Sequence, residues 1–249
     1  MTLLIIIIGI ILGSFANVLI HRLPKGESIV LPRSCCAVCA VRLKWYQLIP
    51  IISYLFCLAK CKQCKNKIPI RYLIVEILVP CLFYLFFFLF GPSLFTSKLI
   101  VFSYFSIILF FTDIETKILP NELTYSLAII GISFFIYEGI AIKGLIGFST
   151  GFITFYLISI IGKKLYKQPV IGGGDIKLIS AMGSYWGTQV CIITIYLSFI
   201  IGGVFAILLI LFKKKNRKQE IAFGPSLIIA SFISIFFTNT IWQILFPTL

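Results

Sequence analysis

The sequence predicts an all-α polytopic membrane protein: about eight transmembrane helices and a small cysteine-rich cytoplasmic insertion after the first helix. Three observations carry that expectation. The 249 residues are 60% hydrophobic and 12% charged, with a mean hydropathy of +1.08, more apolar sequence than a soluble core of this size uses. Uncharged runs of about 18 or more residues recur from end to end, the length at which a helix crosses a bilayer. The 22 Lys and Arg residues fall almost entirely in alternate loops. A β-barrel would instead show alternating segments of about ten residues.

Spans are expected at 3–20, 72–90, 98–112, 123–142, 144–162, 176–187, 188–212 and 222–246. The first run has no basic region before it and no small-residue cleavage pattern after it, so it reads as a retained helix. Residues 21–71 hold ten Lys and Arg and six of the eight cysteines, and form a cytoplasmic subdomain. Within them, Leu48 to Ala59 is too short to cross and is expected to lie on the interface or pack on the insertion. Residues 72–249 make the remaining membrane core. Gly91-Pro92 turns the chain between the second and third spans, and Pro120-Asn121 breaks the loop before the fourth. Pro169 and the triple glycine 172–174 precede the sixth span, which Gly183, Trp186 and Gly187 cut short. The basic run 213–218 closes the seventh span, and Phe223-Gly224-Pro225 opens the eighth.

The net charge of +14 raises the question of a nucleic-acid partner, and the distribution answers it. With the N-terminus outside, loops 21–71, 113–122, 163–175 and 213–221 hold 19 of the 22 basic residues, and Lys177 adds one more. Lys98 and Lys143 alone fall outside. Charge therefore reports topology and contact with the cytoplasmic leaflet, and no nucleic acid is expected.

The chain has only two aspartates, Asp113 and Asp175, each at the edge of a membrane span and 62 residues apart. A carboxylate at that depth costs about 2.5–3.5 kcal/mol on insertion scales, so it is kept for function or paired with a base. By this topology Asp113 ends an inward-running helix and Asp175 begins an outward-running one. Brought within reach of each other, two carboxylates share a proton: the ionised one can take a proton from water while the other polarises a carbonyl. Asp175, at a helix N-terminus, is expected to be the more readily ionised. Gly172, Gly173 and Gly174 leave room for an extended substrate backbone beside it.

Cys36-x-x-Cys39 and Cys61-x-x-Cys64, separated by 21 residues, have the spacing of a four-cysteine structural zinc site. Their place on the reducing side disfavours disulfides. Bound Zn²⁺ would fold a segment that lacks a core of its own. Cys35 could replace Cys36 as ligand; Cys57, Cys81 and Cys191 read as small core residues. His21, the only histidine, reads as interfacial; Glu76, a turn inside the second span, is a buried acid of the kind kept for function, with Arg71, five residues earlier, as the alternative structural partner. No nucleophile-elbow or zinc-hydrolase motif is present.

With these residues in place, the chain resembles the prepilin peptidases, polytopic aspartic proteases that process type IV pilins and related pseudopilins. Gly13-Ser14-Phe15-Ala16-Asn17 is similar to the family's early Gly-x-Phe-x-Asn. Pro32 and Ser34 lead into the CxxC pairs, with Trp45-Tyr46 and Leu48-Ile49-Pro50 between them, and Arg71-Tyr72 with Glu76 continues the pattern. Thr112-Asp113 with Leu119-Pro120-Asn121 is similar to the first aspartate motif, Gly172-x-Gly174-Asp175-Ile176-Lys177 to the second, and Phe223-Gly224-Pro225 to a third near the last span. Ala37, where the family often has Pro, and the extra Cys35 depart from it.

The resemblance implies cleavage after a glycine that ends a short basic leader, at the cytoplasmic face of the bacterial cell membrane. It implies Asp113 and Asp175 as catalytic residues, with Gly172, Gly173, Gly174, Lys177, Pro120 and Asn121 along the substrate's approach. It also implies N-methylation of the new N-terminus from S-adenosylmethionine, associated with Gly13, Phe15, Asn17, Arg71 and Glu76. Prepilins or pseudopilins and the lipid bilayer are the expected partners. Because the leader is cationic, Glu115 and Glu122, ahead of Glu27 and Glu220, are its expected contacts. A proton- or cation-coupled transporter could use the same acids but needs neither CxxC pairs nor a glycine-lined approach. A non-catalytic zinc-dependent scaffold would bind such substrates without cutting them.

Overall fold

The computed structural model describes the chain except residues 32, 37, 40, 58, 168–170, 213–221 and 246–249, and the side chains of Trp45, Tyr46 and Leu55. Pro32, Ala37, Pro169, the basic run 213–218, Glu220 and the end of the last expected span lie outside the described residues. Among the described residues there are helices and no strand beyond two isolated bridges. In order they are α1 (Thr2–Arg22), α2 (Ile52–Phe56), α3 (Arg71–Phe90), α4 (Leu94–Thr116), α5 (Asn121–Tyr137), α6 (Ala141–Tyr166), α7 (Gly173–Trp186), α8 (Thr188–Leu211) and α9 (Gly224–Leu245). Short 3-10 turns cover Leu23–Lys25 and Trp45–Leu48. Six helices are long and apolar enough to cross a membrane, so the chain is a multi-pass membrane protein; α5 is a shorter apolar helix.

Each expected span has a helix, but several ends move for local reasons. Ser93 caps α4, its hydroxyl accepting the Thr96 N–H at 3.1 Å, so the helix starts before Lys98 and buries that lysine. At its other end α4 continues past Asp113 to Thr116, so Asp113 lies inside the last turn and does not end the helix. Helix α5 stops at Tyr137, short of 142, where Gly139 turns with φ 74° and Ile140 N–H returns to Phe135 O at 2.9 Å. Helix α6 runs past 162 because Lys163 and Lys164 sit favourably in its last turn. Helix α7 takes Gly173, Gly174 and Asp175 into its first turn. Of the short run Leu48 to Ala59, Leu48 closes the 3-10 turn and Ile52–Phe56 form the five-residue α2.

The chain divides into two compact units, Met1–Phe111 and Thr112–Leu249. In the first, α1 lies on α3: a Cβ on Gly9 would come 2.6 Å from the Pro80 Cα, and one on Gly13 3.2 Å from the Glu76 Cα. Ala16, Leu19 and Ile20 face the same core as Val75, Val79 and Phe83.

In the second unit α7 is the central element. At about 1.5 Å per residue it spans roughly 21 Å, short of the ~30 Å hydrocarbon core. It does not have to meet lipid, because Leu178 through Tyr185 are all buried against neighbouring helices. On one side a Cβ on Gly147 of α6 would overlap the Gly183 carbonyl, so the two backbones touch. On another, Ser184 Oγ donates to Ala128 O of α5 at 3.3 Å.

Candidate active site

Helices α4 and α7 each deliver one aspartate to the same place in the second unit. Asp113 is 4% exposed. Asp175 is half-buried in the first turn of α7, and Asp113 lies near enough to act on its charge. A third element joins them: Gly224 N–H, at the start of α9, donates to Asp113 Oδ2 at 2.9 Å. One aspartate is therefore sealed in and the other opens toward the exposed Gly172 and Gly173.

The loop between α4 and α5 is fastened to the start of α7 at two points. Leu119 is buried, with its Cβ 3.0 Å from where a Cβ on Gly174 would stand. Lys177 Nζ donates to Asn121 Oδ1 at 2.7 Å and lies 5.6 Å from the Tyr125 ring centroid. Pro120, also buried, caps α5. The two aspartate motifs, far apart in the chain, are thus locked together beside the carboxylates.

Backbone conformation does not explain the three glycines: Gly172 has φ −67° and neither Gly173 nor Gly174 has a positive φ. Space does. A Cβ on Gly172 would stand 3.0 Å from Asp175 Oδ2, and one on Gly174 would press on Leu119, whereas one on Gly173 meets nothing within 4 Å. Gly173→Ala is therefore expected to fold and to cleave a minimal substrate within about threefold of wild type. Gly172→Ala, by pushing the carboxylate aside, is expected to lower kcat about tenfold or more. Steady-state cleavage and thermal unfolding of the purified variants would check the contrast; equal effects at 172 and 173 would refute it.

In the first unit the four cysteines converge. Ser34 and Cys36 pair with Leu43 and Val41 on one hairpin-like turn, and Ala59 and Cys61 with Ile68 and Asn66 on the other. Cys36 Sγ lies 3.8 Å from Cys64 Sγ, Cys39 Sγ lies 3.9 Å from Cys61 Sγ, and all four sulfurs are within 4.8 Å of one another. Zinc–sulfur bonds of about 2.3 Å at tetrahedral angles put sulfurs roughly 3.8 Å apart, so the four residues fit the ion. Cys35 is not among them. The amides of Cys64 and Gln63 bring Cys61 down to about 6, and that of Cys39 lowers Cys36. Against the pull of the Asn66 amide, desolvation and the Cys39, Cys61 and Cys36 thiols leave Cys64 at about 11.

Beside this cluster is a cavity of about 300 Å³ whose walls include Ser14, Asn17, His21, Cys36, Cys61 and Glu76. Asn17 is 2% exposed; its Nδ2 donates to Tyr72 O at 3.0 Å while its Oδ1, also buried, has no partner. Glu76 Oε2 accepts the Ile51 N–H at 2.7 Å and so holds a residue at φ 64°, a region that β-branched residues rarely enter. Of the other residues that the resemblance ties to methylation as an expectation, Gly13 is at the α1–α3 contact. Arg71 is buried with its guanidinium 4.6 Å from the Tyr72 ring centroid, and Phe15 is 41% exposed away from the cavity walls. Sequence reasoning missed three features. His21 and Cys57 line the cavity, and Gly224 touches an aspartate; a proline just inside a helix start was the available sign of the last.

Comparison with known proteins gives a consistent answer. A model of the bacterial peptidase A24 N-terminal domain matches residues 7–90, and one of the type IV leader peptidase family matches residues 100–207. The prepilin leader peptidase/N-methyltransferase of Neisseria gonorrhoeae is 30% identical over 95% of this chain and 91% of its own. Its namesake from Bacillus subtilis (strain 168) is 31% identical over 96% and 95%, and that from Vibrio cholerae serotype O1 is 32% identical over 93% and 94%. No solved structure matches the chain. With both domain models in order and such relatives covered almost end to end, this chain belongs to the prepilin leader peptidase/N-methyltransferase family.

Proposed function

We propose that the protein cleaves the short basic leader from prepilins or pseudopilins with Asp113 and Asp175 as the proteolytic pair, and methylates the new N-terminus. One juxtaposition carries the first part: the chain's only two aspartates meet at the ends of α4 and α7, one buried and one beside an open glycine approach. The ionised carboxylate takes a proton from water, whose oxygen attacks the scissile carbonyl carbon. The protonated carboxyl donates to the carbonyl oxygen. Collapse of the tetrahedral intermediate breaks the C–N bond, and the departing amine takes a proton. A prepilin held with its apolar helix in the membrane presents its scissile bond at the interface. The excess of Lys and Arg in alternate loops supports reading that interface as the cytoplasmic side of the bacterial cell membrane. Glu115 and Glu122, both exposed near the pair in sequence, offer contacts for the cationic leader.

The cavity in the first unit supports the methylation reading. S-adenosylmethionine, when bound, supplies the methyl group as a sulfonium. Asn17 Oδ1 and the Glu76 carboxyl offer acceptor atoms to a ligand that carries donors. Cys36, Cys39, Cys61 and Cys64 would hold Zn²⁺ and so fix the cavity wall to which Cys36 and Cys61 belong. Asn17→Ala and Glu76→Gln are expected to lower methylation about tenfold or more and to leave cleavage within about threefold, since neither residue belongs to the unit that holds the aspartates.

The test uses the full chain in detergent with a prepilin-like peptide, a basic leader ending in glycine before an apolar segment, and S-adenosylmethionine. Mass spectrometry should find one cut after that glycine and one added methyl group. A wild-type protein that binds the peptide and leaves it whole would overturn the peptidase reading.

A further inference from the structure

Phe223-Gly224-Pro225 does more than start the last helix. The first amides of a helix lack intrahelical partners and must find others. Here Pro225 has no N–H, and Ser226 and Leu227 N–H both return to Phe223 O, at 3.0 and 3.2 Å. Gly224 N–H points away from that turn, to Asp113 Oδ2 at 2.9 Å. The absent side chain matters as much as the amide. A Cβ on Gly224 would stand 2.7 Å from Asp113 Oδ2, 3.1 Å from Cγ and 3.4 Å from Cβ, so no other residue leaves the carboxylate where it is.

The turn itself is anchored from the other side. The Phe223 ring lies with centroids 6.3 Å from Phe155 of α6 and 5.6 Å from Phe199 of α8. A Cβ on Gly202 of α8 would come 2.9 Å from the Phe223 Cε2, so that glycine makes the ring's place. All of these residues belong to the second unit. An aromatic anchor, a bare amide and a proline that donates nothing thus set one hydrogen bond on one carboxylate oxygen.

We propose that Gly224 is a positioning residue for proteolysis. Its N–H occupies Asp113 Oδ2 and fixes the carboxylate's rotation, leaving Oδ1 for the proton and water. This rests on the two-aspartate reading above. Gly224→Ala is expected to lower kcat about a hundredfold, since a displacement near 1 Å costs that much, with KM within about threefold. In an Asp113→Asn background the same change should cost nothing further, because residues acting as a unit are not additive.

A second variant separates bond from bulk. Replacing the amide that precedes Gly224 by an ester removes the N–H and adds no side chain, and kcat is expected to fall about tenfold. It decides the matter if Gly224→Ala does not fold. An ester variant that cleaves at the wild-type rate would overturn the inference, as would a Gly224→Ala loss that persists undiminished in the Asp113→Asn background. The Asp113→Asn and Asp175→Asn single variants, run alongside wild type, keep failure of the two-aspartate reading distinct, since full activity in either sinks that reading whatever Gly224 does.

Discussion

Asp113→Asn and Asp175→Asn are each expected to cut the rate of leader cleavage by about a hundred- to ten-thousand-fold, the range that a positioned acid or base supplies. Both variants should stay folded. An asparagine keeps the volume, and at 113 its carbonyl oxygen can still accept the Gly224 N–H that now bonds Oδ2 at 2.9 Å. Each substitution also removes one of two carboxyl groups close enough to oppose each other's ionisation. The unfolding midpoint should therefore hold or rise while activity collapses, a pairing that general damage to the fold would not give. Cleavage of a prepilin-like peptide by the purified variants, with a thermal melt beside it, checks both halves. Full activity in either variant would sink the aspartic mechanism and return the chain to the transporter or scaffold readings.

Much of this arrangement is legible in the sequence because membranes make polar residues scarce. With two aspartates in 249 residues, each at the edge of an apolar run, depth alone sets them on one level. The CxxC spacing likewise foretells a cluster, since four soft ligands on two tight turns have one economical arrangement. Helix ends are less legible. The extension of α4 past Asp113 and the early stop of α5 depend on a serine cap and a glycine turn, local hydrogen bonds that hydropathy does not register.

Least legible is the use made of space. Nothing in the order of residues says that Gly174 answers to Leu119, that Gly172 answers to the Asp175 carboxylate, or that Gly173 answers to neither. Those assignments need the fold. Nor does composition reveal that Cys57 and His21, read as core and interface, share a cavity with the unpartnered oxygen of Asn17.

The cysteine cluster should show its effect when the metal is withheld. Among the described residues of 34–68 there are the five-residue α2, one 3-10 turn and isolated bridges, too little regular structure to order a segment by itself. A four-thiolate zinc site contributes on the order of 10 kcal/mol, most of which this segment would spend on its own ordering. Purified protein is expected to carry one zinc per chain. Chelation, or Cys36→Ser with Cys64→Ser, should expose residues 34–68 to protease. Because Cys36 and Cys61 form part of the cavity wall, methylation should fall at least tenfold. Cleavage should fall far less, for the aspartates, the glycines and the α9 turn all lie in the second unit, which has a buried core of its own. Metal analysis, limited proteolysis and the two activity assays on one preparation would decide it. A metal-free protein that resists protease and methylates at the wild-type rate would show that the thiols do something other than hold this segment's shape.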